Sequence, residues 1–145
     1  MYLDLCALKR PFDDHTQSRI RLEADAVLEL LAAAPERVTF VHSRAHDVEN
    51  GQNPIRWRAA RVAAWLESAT TLPNPTADDL VRRTSELMAL GFRNFDALHV
   101  AWAEFAEADV FVTTDDRLLS LANRHATLLR VRMVDVVTLA REVLP

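Results

Sequence analysis

Short runs of β-branched and aromatic residues alternate with longer stretches of helical periodicity along this 145-residue chain. Alternation of this kind is typical of α/β proteins, in which helices cover a mainly parallel sheet. The sequence therefore predicts a single α/β/α sandwich with flanking helices. Strands are predicted at residues 2–7, 37–42, 69–72, 109–113 and 130–134. Helices are predicted from Ser18 to the break at Pro35, over residues 43–50, 55–68, 76–91, 95–108 and 116–124, and from Asp135 to the C-terminus.

Composition and length indicate one globular domain over residues 1–145. Half of the residues are hydrophobic and 26% are charged, as is usual for water-soluble proteins. No apolar run is long enough to cross a bilayer, and Met1 leads directly into a predicted strand, so we expect neither a membrane span nor a signal peptide. Cys6 is the sole cysteine, which rules out an intrachain disulfide and fits a cytoplasmic location.

Glycine content and net charge exclude or disfavour some functions. The chain has two glycines, too few for a P-loop or a dinucleotide-binding fingerprint. The formal net charge is −4, whereas proteins that bind nucleic acid passively usually carry a basic excess. Any contact with nucleic acid therefore depends on where the arginines are placed.

Acidic residues lie where predicted strands end and helices begin. Asp4 interrupts the first apolar run, Asp115 follows the strand at residues 109–113, and Asp96 opens a helix. Ligands of α/β proteins bind beyond the carboxyl ends of the strands, so Asp4 and Asp115 would share a crevice if their strands are neighbours. Taken singly, Asp96 and Asp115 are equally well explained by the helix macrodipole and by helix capping.

Four segments, taken together, resemble the motifs of the PIN-domain family. They are the first-strand segment Tyr2-Leu3-Asp4, the segment Ser43 to Glu49 after the second strand, the Asp96-Ala97-Leu98-His99-Val100-Ala101 helix, and the strand from Ala108 that ends in Thr113-Thr114-Asp115. They occur in the family's order and span most of the chain. The resemblance implies a metal-dependent ribonuclease, often the toxin of a VapBC-type toxin–antitoxin pair. It also implies strand order 3-2-1-4-5 and an acidic pocket at the carboxyl edge of the sheet.

Carried over to this chain, the resemblance assigns the site to four acids, Asp4, Glu49, Asp96 and Asp115. Asp47 competes with Glu49 because both lie on one short helix, and Asp116 is an alternative or a supplement to Asp115. Thr114 is expected to hydrogen-bond a metal ligand. His46 occupies a position where we expect an apolar side chain, so either the helix is rotated or this histidine is partly exposed near the pocket.

Clustered carboxylates need a counter-charge, and a hard divalent cation with oxygen ligands supplies one. The expected cofactor is therefore Mg²⁺ or Mn²⁺, and the expected reaction is in-line hydrolysis of an RNA phosphodiester by an activated water. Asp4 and Asp96 would be primary ligands and Asp115 a ligand or a supporting group. Glu49 would orient water or bind a second metal ion.

Arginines are the candidates for contacts with RNA phosphates, although each of them could equally form an ordinary surface ion pair. They are Arg10, Arg19, Arg21, Arg56 and Arg58. His99 is expected to pack or to hydrogen-bond rather than to act in catalysis. The helical tryptophans Trp57, Trp65 and Trp102 are expected in the core or at an interface rather than as platforms for stacked bases.

Other functions remain as alternatives. A non-catalytic PIN-like module that binds RNA or a protein is favoured if the acids do not converge. A receiver- or phosphatase-type domain is disfavoured because Asp4-Leu5-Cys6 lacks the required Asp-x-Asp. Zinc binding is also disfavoured, because Ser43 rather than Glu follows His42. An antitoxin and a second copy of the chain are the expected protein partners.

Overall fold

The computed structural model describes residues 1–144 and contains a sheet of parallel strands flanked by helices. The strands are β1 Tyr2–Leu3, β2 Val41–His42, β3 Thr70–Thr71, β4 Val110–Thr113 and β5 Arg132–Asp135. The α-helices are α1 Leu5–Lys9, α2 Ser18–Ala32, α3 Arg44–Gly51, α4 Arg56–Glu67, α5 Ala77–Ala89, α6 Asn94–Phe105, α7 Asp116–Arg124 and α8 Val136–Val143. Short 3₁₀ turns occupy Arg10–Phe12 and Ala126–Leu128.

The sheet separates two hydrophobic cores, as expected of an α/β/α sandwich. Successive strand residues point to opposite faces, so Leu3 and Val112 join one core, while Tyr2 and Phe111 join the other. Buried residues of α1, α2, α4 and α8 belong to the first core, and those of α3, α5, α6 and α7 belong to the second. Helices therefore cover both faces, and the predicted fold class is confirmed.

Strand pairing differs in one respect from the order 3-2-1-4-5. The structure has a three-stranded parallel ladder β1-β4-β5 and a separate parallel pair β2-β3, so the five strands do not form one continuous ladder. Met1 bridges the gap, because its carbonyl accepts from the Val41 N–H at 2.9 Å and its amino group donates to the Thr39 carbonyl at 2.6 Å. β2 therefore lies beside β1 without a regular ladder between them.

The first predicted strand is too long. The strand ends at Leu3, and Asp4 is the N-cap of α1, with its carbonyl accepting from the N–H groups of Ala7 and Leu8 at 3.0 Å. A short apolar run does not by itself distinguish a strand from a buried helix, which explains the error. The consequence is that Asp4 stands at the point where the chain turns from strand to helix.

Helix boundaries agree better with the expectations. The segment at residues 116–124 coincides with α7. Thr76 and Asp135 are N-caps of α5 and α8, because their side chains accept from the Asp79 and Thr138 N–H groups at 3.2 and 2.9 Å. The helix predicted from Ser18 begins there, although Ser18 is its first residue and makes no cap hydrogen bond. Over residues 1–144, no helix is long and apolar enough to cross a membrane.

Candidate active site

Two neighbouring strands bring acidic residues to one edge of the sheet. Asp4 directly follows β1, and Asp115 lies two residues beyond the end of β4. The two strands pair in parallel with Leu3 opposite Val112, and the Asp4 N–H donates to the Val112 carbonyl at 2.9 Å. Because the carboxyl ends of paired parallel strands meet at one edge, both acids border the crevice beyond the sheet.

Asp96, in the first turn of α6, lies near these two acids and shares an arginine with Asp115. The Arg117 guanidinium donates to Asp96 Oδ2 and lies 4.0 Å from Asp115 Oδ2. Burial raises the pKa of Asp96, the charges of Asp4 and Asp115 raise it further, and Arg117 opposes them. Three carboxylates from distant parts of the chain thus repel one another at this edge. We call Asp4, Asp96 and Asp115 the acidic cluster.

Asp4 is held in place by neutral donors. Its Oδ2 accepts from the Thr113 hydroxyl and from the Cys6 thiol, both at 2.9 Å. The same Thr113 oxygen accepts from the Asp115 N–H at 3.1 Å, so one threonine ties two members of the cluster together. Burial, aided by the Asp4 charge, raises the pKa of Cys6, which keeps it a thiol donor.

The hydrogen bond expected from Thr114 is made by Thr113 instead. The Thr114 hydroxyl is buried and, within residues 1–144, has no hydrogen-bond partner. Successive residues of a strand point to opposite sides, so only one of two adjacent threonines can turn toward Asp4. The sequence could not specify which of them does.

Glu49 of α3 is linked to this region by a contact with His99 of α6. His99 is three residues after Asp96 on that helix, and residues at this spacing share a helix face. Its Nε2 lies 2.7 Å from Glu49 Oε2, and Lys9 Nζ lies 3.9 Å from Glu49 Oε1. Burial by itself raises the pKa of Glu49, but the His99 hydrogen bond and the positive charges of His99 and Lys9 lower it below its ordinary value. Glu49 is therefore held as a carboxylate.

The imidazole that orients Glu49 is itself anchored in the core. His99 Nδ1 lies 2.6 Å from the Tyr2 hydroxyl, which lies 2.7 Å from Ser43 Oγ. Tyr2, Ser43 and His99 are all buried. His99 was expected to pack or to hydrogen-bond, and it does hydrogen-bond. Glu49, His99, Tyr2 and Ser43 form a polar chain, which we call the Glu49 chain, from the crevice into the interior.

His46 is fully buried, so the expectation that this residue is partly exposed is wrong. Its Nδ1 accepts from the Ser43 N–H at 3.1 Å, and its Nε2 donates to the Leu3 carbonyl at 2.8 Å. The ring stacks on Tyr2 at a centroid distance of 4.4 Å. Burial, chiefly, lowers the pKa of His46 to about 3. A neutral, fully hydrogen-bonded histidine thus occupies a position at which we expected an apolar residue.

Two alternative acids bind elsewhere. Asp47 Oδ1 lies 2.7 Å from His42 Nε2, and Asp116 accepts from both Nη atoms of Arg19 at 2.6 and 2.7 Å. Side chains of Asp47 and Asp116 are 59% and 70% exposed. Neither carboxylate is bonded to a member of the acidic cluster, and their roles as alternatives to Glu49 and Asp115 stay predictions.

Arg10 and Arg19 form ion pairs within the protein, which was the alternative to contacts with RNA phosphates. Arg10 pairs with Asp13 at 3.1 Å and with the buried Glu23 at 2.8 Å. Arg19 pairs with Glu23 at 2.7 Å as well as with Asp116. Arg10 thus ties the turn after α1 to α2, and Arg19 ties α2 to the start of α7. Both guanidiniums are therefore poor candidates for contacts with RNA.

Among the remaining arginines, Arg21 and Arg56 are exposed, and Arg58 is half-buried in a cleft beside Glu49. Arg117 is the functional residue that sequence reasoning missed. It lies in the first turn of α7, where the helix macrodipole disfavours a cation. A basic residue at that position suggests a nearby acidic partner, and this signal was available in the sequence.

The acidic cluster suits a hard divalent cation in the type of its donors, because all of them are carboxylate oxygens. The mutual repulsion that raises the pKa of Asp96 is the kind that a bound cation relieves. Within residues 1–144, however, no three His, Cys, Asp or Glu side chains are already arranged to hold a metal ion. Arg117 supplies a counter-charge to Asp96 and Asp115, so a metal ion would compete with Arg117 for Asp96.

Comparisons with known proteins are sparse. No family model matches the chain, and no curated protein matches it. A similar solved structure is the crystal structure of PAE2754 from Pyrobaculum aerophilum, which is 21% identical in sequence. The match covers 98% of this chain and 94% of that chain, with a TM-score of 0.49.

Proposed function

We propose that this protein is a metal-dependent endoribonuclease of the PIN-domain type. The observation that supports this most strongly is the meeting of Asp4, Asp96 and Asp115 at one edge of the sheet, where burial and the charges of Asp4 and Asp115 raise the pKa of Asp96. Glu49, held as a carboxylate by His99, adds a fourth acid from another helix. Clustered carboxylates with a perturbed pKa are typical of functional sites.

Asp4, Asp96 and Asp115 would hold Mg²⁺ or Mn²⁺, which when bound activates water and neutralises charge on the phosphodiester. The other steps belong to side chains of this protein. Thr113 and Cys6 fix the orientation of Asp4. His99 holds Glu49 ionised, so that the Glu49 carboxylate orients the attacking water by accepting a hydrogen bond from it, and misplacing that water costs about 100-fold in rate.

The test is cleavage of a panel of RNAs by purified protein, with Mg²⁺, with Mn²⁺ and with EDTA. Asp4→Asn and Asp96→Asn should reduce cleavage to background, and Glu49→Gln, which misplaces the attacking water, should reduce it about 100-fold. Asp116→Asn is the matched control, because this exposed acid pairs with Arg19, and it should cleave like wild type. Equal cleavage by wild type and both asparagine variants would overturn the assignment.

We further propose that the protein is the toxin of a toxin–antitoxin pair and acts in the cytoplasm, with an antitoxin and a second copy of the chain as partners. The resemblance of its motifs to PIN-domain toxins supports this role. Induced expression should arrest bacterial growth, and Asp4→Asn or co-expression of an adjacent small reading frame should relieve the arrest. Sedimentation of the purified protein would decide whether it dimerises. Normal growth during expression of active nuclease contradicts the toxin role.

A second candidate is a non-catalytic module that binds RNA. The observation that favours it is Arg117, which already supplies a counter-charge to Asp96 and Asp115. Calorimetric titration with Mn²⁺ distinguishes the two functions. Binding that is lost in Asp96→Asn supports the nuclease, whereas RNA binding with neither metal binding nor cleavage supports the module.

A further inference from the structure

A cleft of about 320 Å³ opens beside Glu49. Its walls come from the turn after α1, from the end of α3, from the start of α4 and from the residue before Asp96. The lining includes Lys9, Glu49, Gln52, Asn53, Arg58 and Phe95. Its volume lies at the lower end of the range for ligand sites, which is about 300–1,000 Å³. Glu49 is part of the wall, and Phe95 is the residue before Asp96, so the cleft adjoins the candidate active site on the side of Glu49.

The carboxylates that line the cleft have close hydrogen-bond partners, whereas the cations do not. Glu49 is bound to His99 at 2.7 Å, and Asp13 is bound to Arg10 at 3.1 Å. Lys9 Nζ, by contrast, is 3.9 Å from the nearest Glu49 oxygen, beyond hydrogen-bond distance.

Arg58 is less engaged still. Its Nε is buried and, within residues 1–144, has no hydrogen-bond partner. A buried guanidinium nitrogen without an acceptor is costly, and a phosphate oxygen is the acceptor that such a group binds best. Lys9 and Arg58 thus leave cationic donors available in the cleft.

Aromatic rings lie beside these cations. Phe95 lines the cleft, and Trp57 of α4 is 62% exposed. Trp57 is therefore not in the core, and the expected interface position stays a prediction. Trp57 is held by the edge-on ring of Phe12 at 5.4 Å and by the Arg58 guanidinium, 5.4 Å from its ring centroid. A large ring that is exposed yet held by its neighbours is the kind of surface on which nucleic-acid bases stack.

We propose that this cleft binds a nucleotide of single-stranded RNA next to the phosphodiester that is cleaved. Lys9 and Arg58 bind its phosphate, and its base stacks on Phe95 or Trp57. The proposal deepens the proposed ribonuclease function and rests on it for the identity of the ligand. Because stacking requires an unpaired base, the proposal also makes the substrate a single strand rather than a duplex.

The test measures binding separately from cleavage. A short, fluorescently labelled single-stranded oligoribonucleotide is titrated with Asp4→Asn protein in EDTA, and anisotropy reports the Kd. Adding Arg58→Gln or Trp57→Leu should each weaken binding about tenfold. Arg82→Gln, which removes an exposed arginine of α5, is the matched control and should leave the Kd unchanged. A duplex of the same sequence should compete poorly.

The two proposals fail in distinguishable ways. If the Arg58 and Trp57 variants bind like the control while wild type still cleaves RNA, the cleft proposal is overturned and the nuclease stands. If they lose binding while wild type cleaves nothing, the cleft stands as an RNA site and the nuclease falls. Circular dichroism melting of each variant separates loss of the site from loss of the fold. Trp57→Phe retains a ring and should recover part of the affinity, which a purely structural role of Trp57 does not predict.

Discussion

Two arginine–carboxylate pairs in this molecule have the same chemistry and different environments. Arg83 of α5 and Glu104 of α6 are both buried and form bonds at 2.6 and 3.0 Å. Arg83 also donates to the Leu128 carbonyl at 2.8 Å, and Glu104 accepts from the Arg130 N–H at 3.0 Å. Every charge in this pair is matched, and the pair ties two helices to the turn before β5.

Arg117 and Asp96 form the contrasting pair. Both are partly exposed, and Arg117 Nε has no hydrogen-bond partner in the described residues 1–144. Asp115 and Asp4 add two further negative charges, which raise the pKa of Asp96. One arginine cannot neutralise three carboxylates. The comparison teaches that an ion pair whose hydrogen-bonding groups all have partners supports the fold. An excess of negative charge at the edge of a sheet instead indicates a site able to bind a ligand.

Breaking the buried pair should have the largest effect. Glu104→Ala leaves the Arg83 guanidinium buried without its carboxylate, so we expect the free energy of unfolding to fall by about 3–5 kcal/mol. Urea denaturation measures the change. Glu142→Ala removes the carboxylate of the exposed pair with Arg132 and should cost less than about 1 kcal/mol. A similarly small loss for Glu104→Ala would show that burial does not distinguish the two pairs.

Removing Arg117 should have a smaller effect than breaking the buried pair, and it should strengthen metal binding rather than weaken the protein. Arg117→Gln deletes the cation that competes for Asp96, so Mn²⁺ should bind roughly tenfold more tightly, equivalent to about 1.4 kcal/mol. Isothermal titration calorimetry measures the affinity. Arg124→Gln, an exposed arginine on the same helix, is the matched control. Weaker Mn²⁺ binding by Arg117→Gln would mean that Arg117 arranges the acids instead of competing for them.

The smallest effect is a pH dependence of stability in metal-free protein. The pKa of Asp96 is raised on folding, so the folded state holds its proton more firmly than the unfolded state. The resulting stabilisation is fully present below the ordinary carboxyl pKa, about 3.9, and is lost as pH rises through the folded-state pKa. Asp96→Asn abolishes this loss, so the variant should gain stability relative to wild type as pH rises.

Glu49 should behave in the opposite way, because its pKa is lowered on folding. Its stabilisation is present above the ordinary glutamate pKa and is lost as pH falls through the folded-state pKa. Glu49→Gln should therefore be less stable than wild type near neutral pH, and the difference should vanish in acid. Denaturation midpoints at several pH values, in EDTA, measure both variants. Parallel pH profiles would contradict the assigned pKa directions.

Most of the fold could be predicted from local patterns. Helical periodicity located α2 and α4 well, because their apolar residues recur at helical spacing. The first strand was overextended because an apolar run from Tyr2 to Ala7 fits a strand and a buried helix equally. The break between β1 and β2 was also beyond prediction, since pairing depends on residues distant in sequence.

The site could be predicted only in part. Acids at strand ends and helix starts were identifiable, and Asp4, Asp96 and Asp115 do lie at one edge. The Glu49 chain was not identifiable, because nothing local links Tyr2 with Ser43 or His99. The exposure of Trp57 was not identifiable either, because the sequence of α4 does not show which of its faces the rest of the protein covers.

The sequence by itself determined the alternation of strands and helices and the positions of acids where strands end. Only the tertiary structure decided which partner each acid takes. Glu49 lies beside His99 and Asp47 beside His42, while Asp115 caps α7 and Asp116 pairs with Arg19. The physical reason is that adjacent helical residues point in different directions, and each carboxylate settles where a partner lies. His42 and Arg19 draw Asp47 and Asp116 away, while partners from other segments of the chain, His99 and Thr113, hold Glu49 and Asp4 in place.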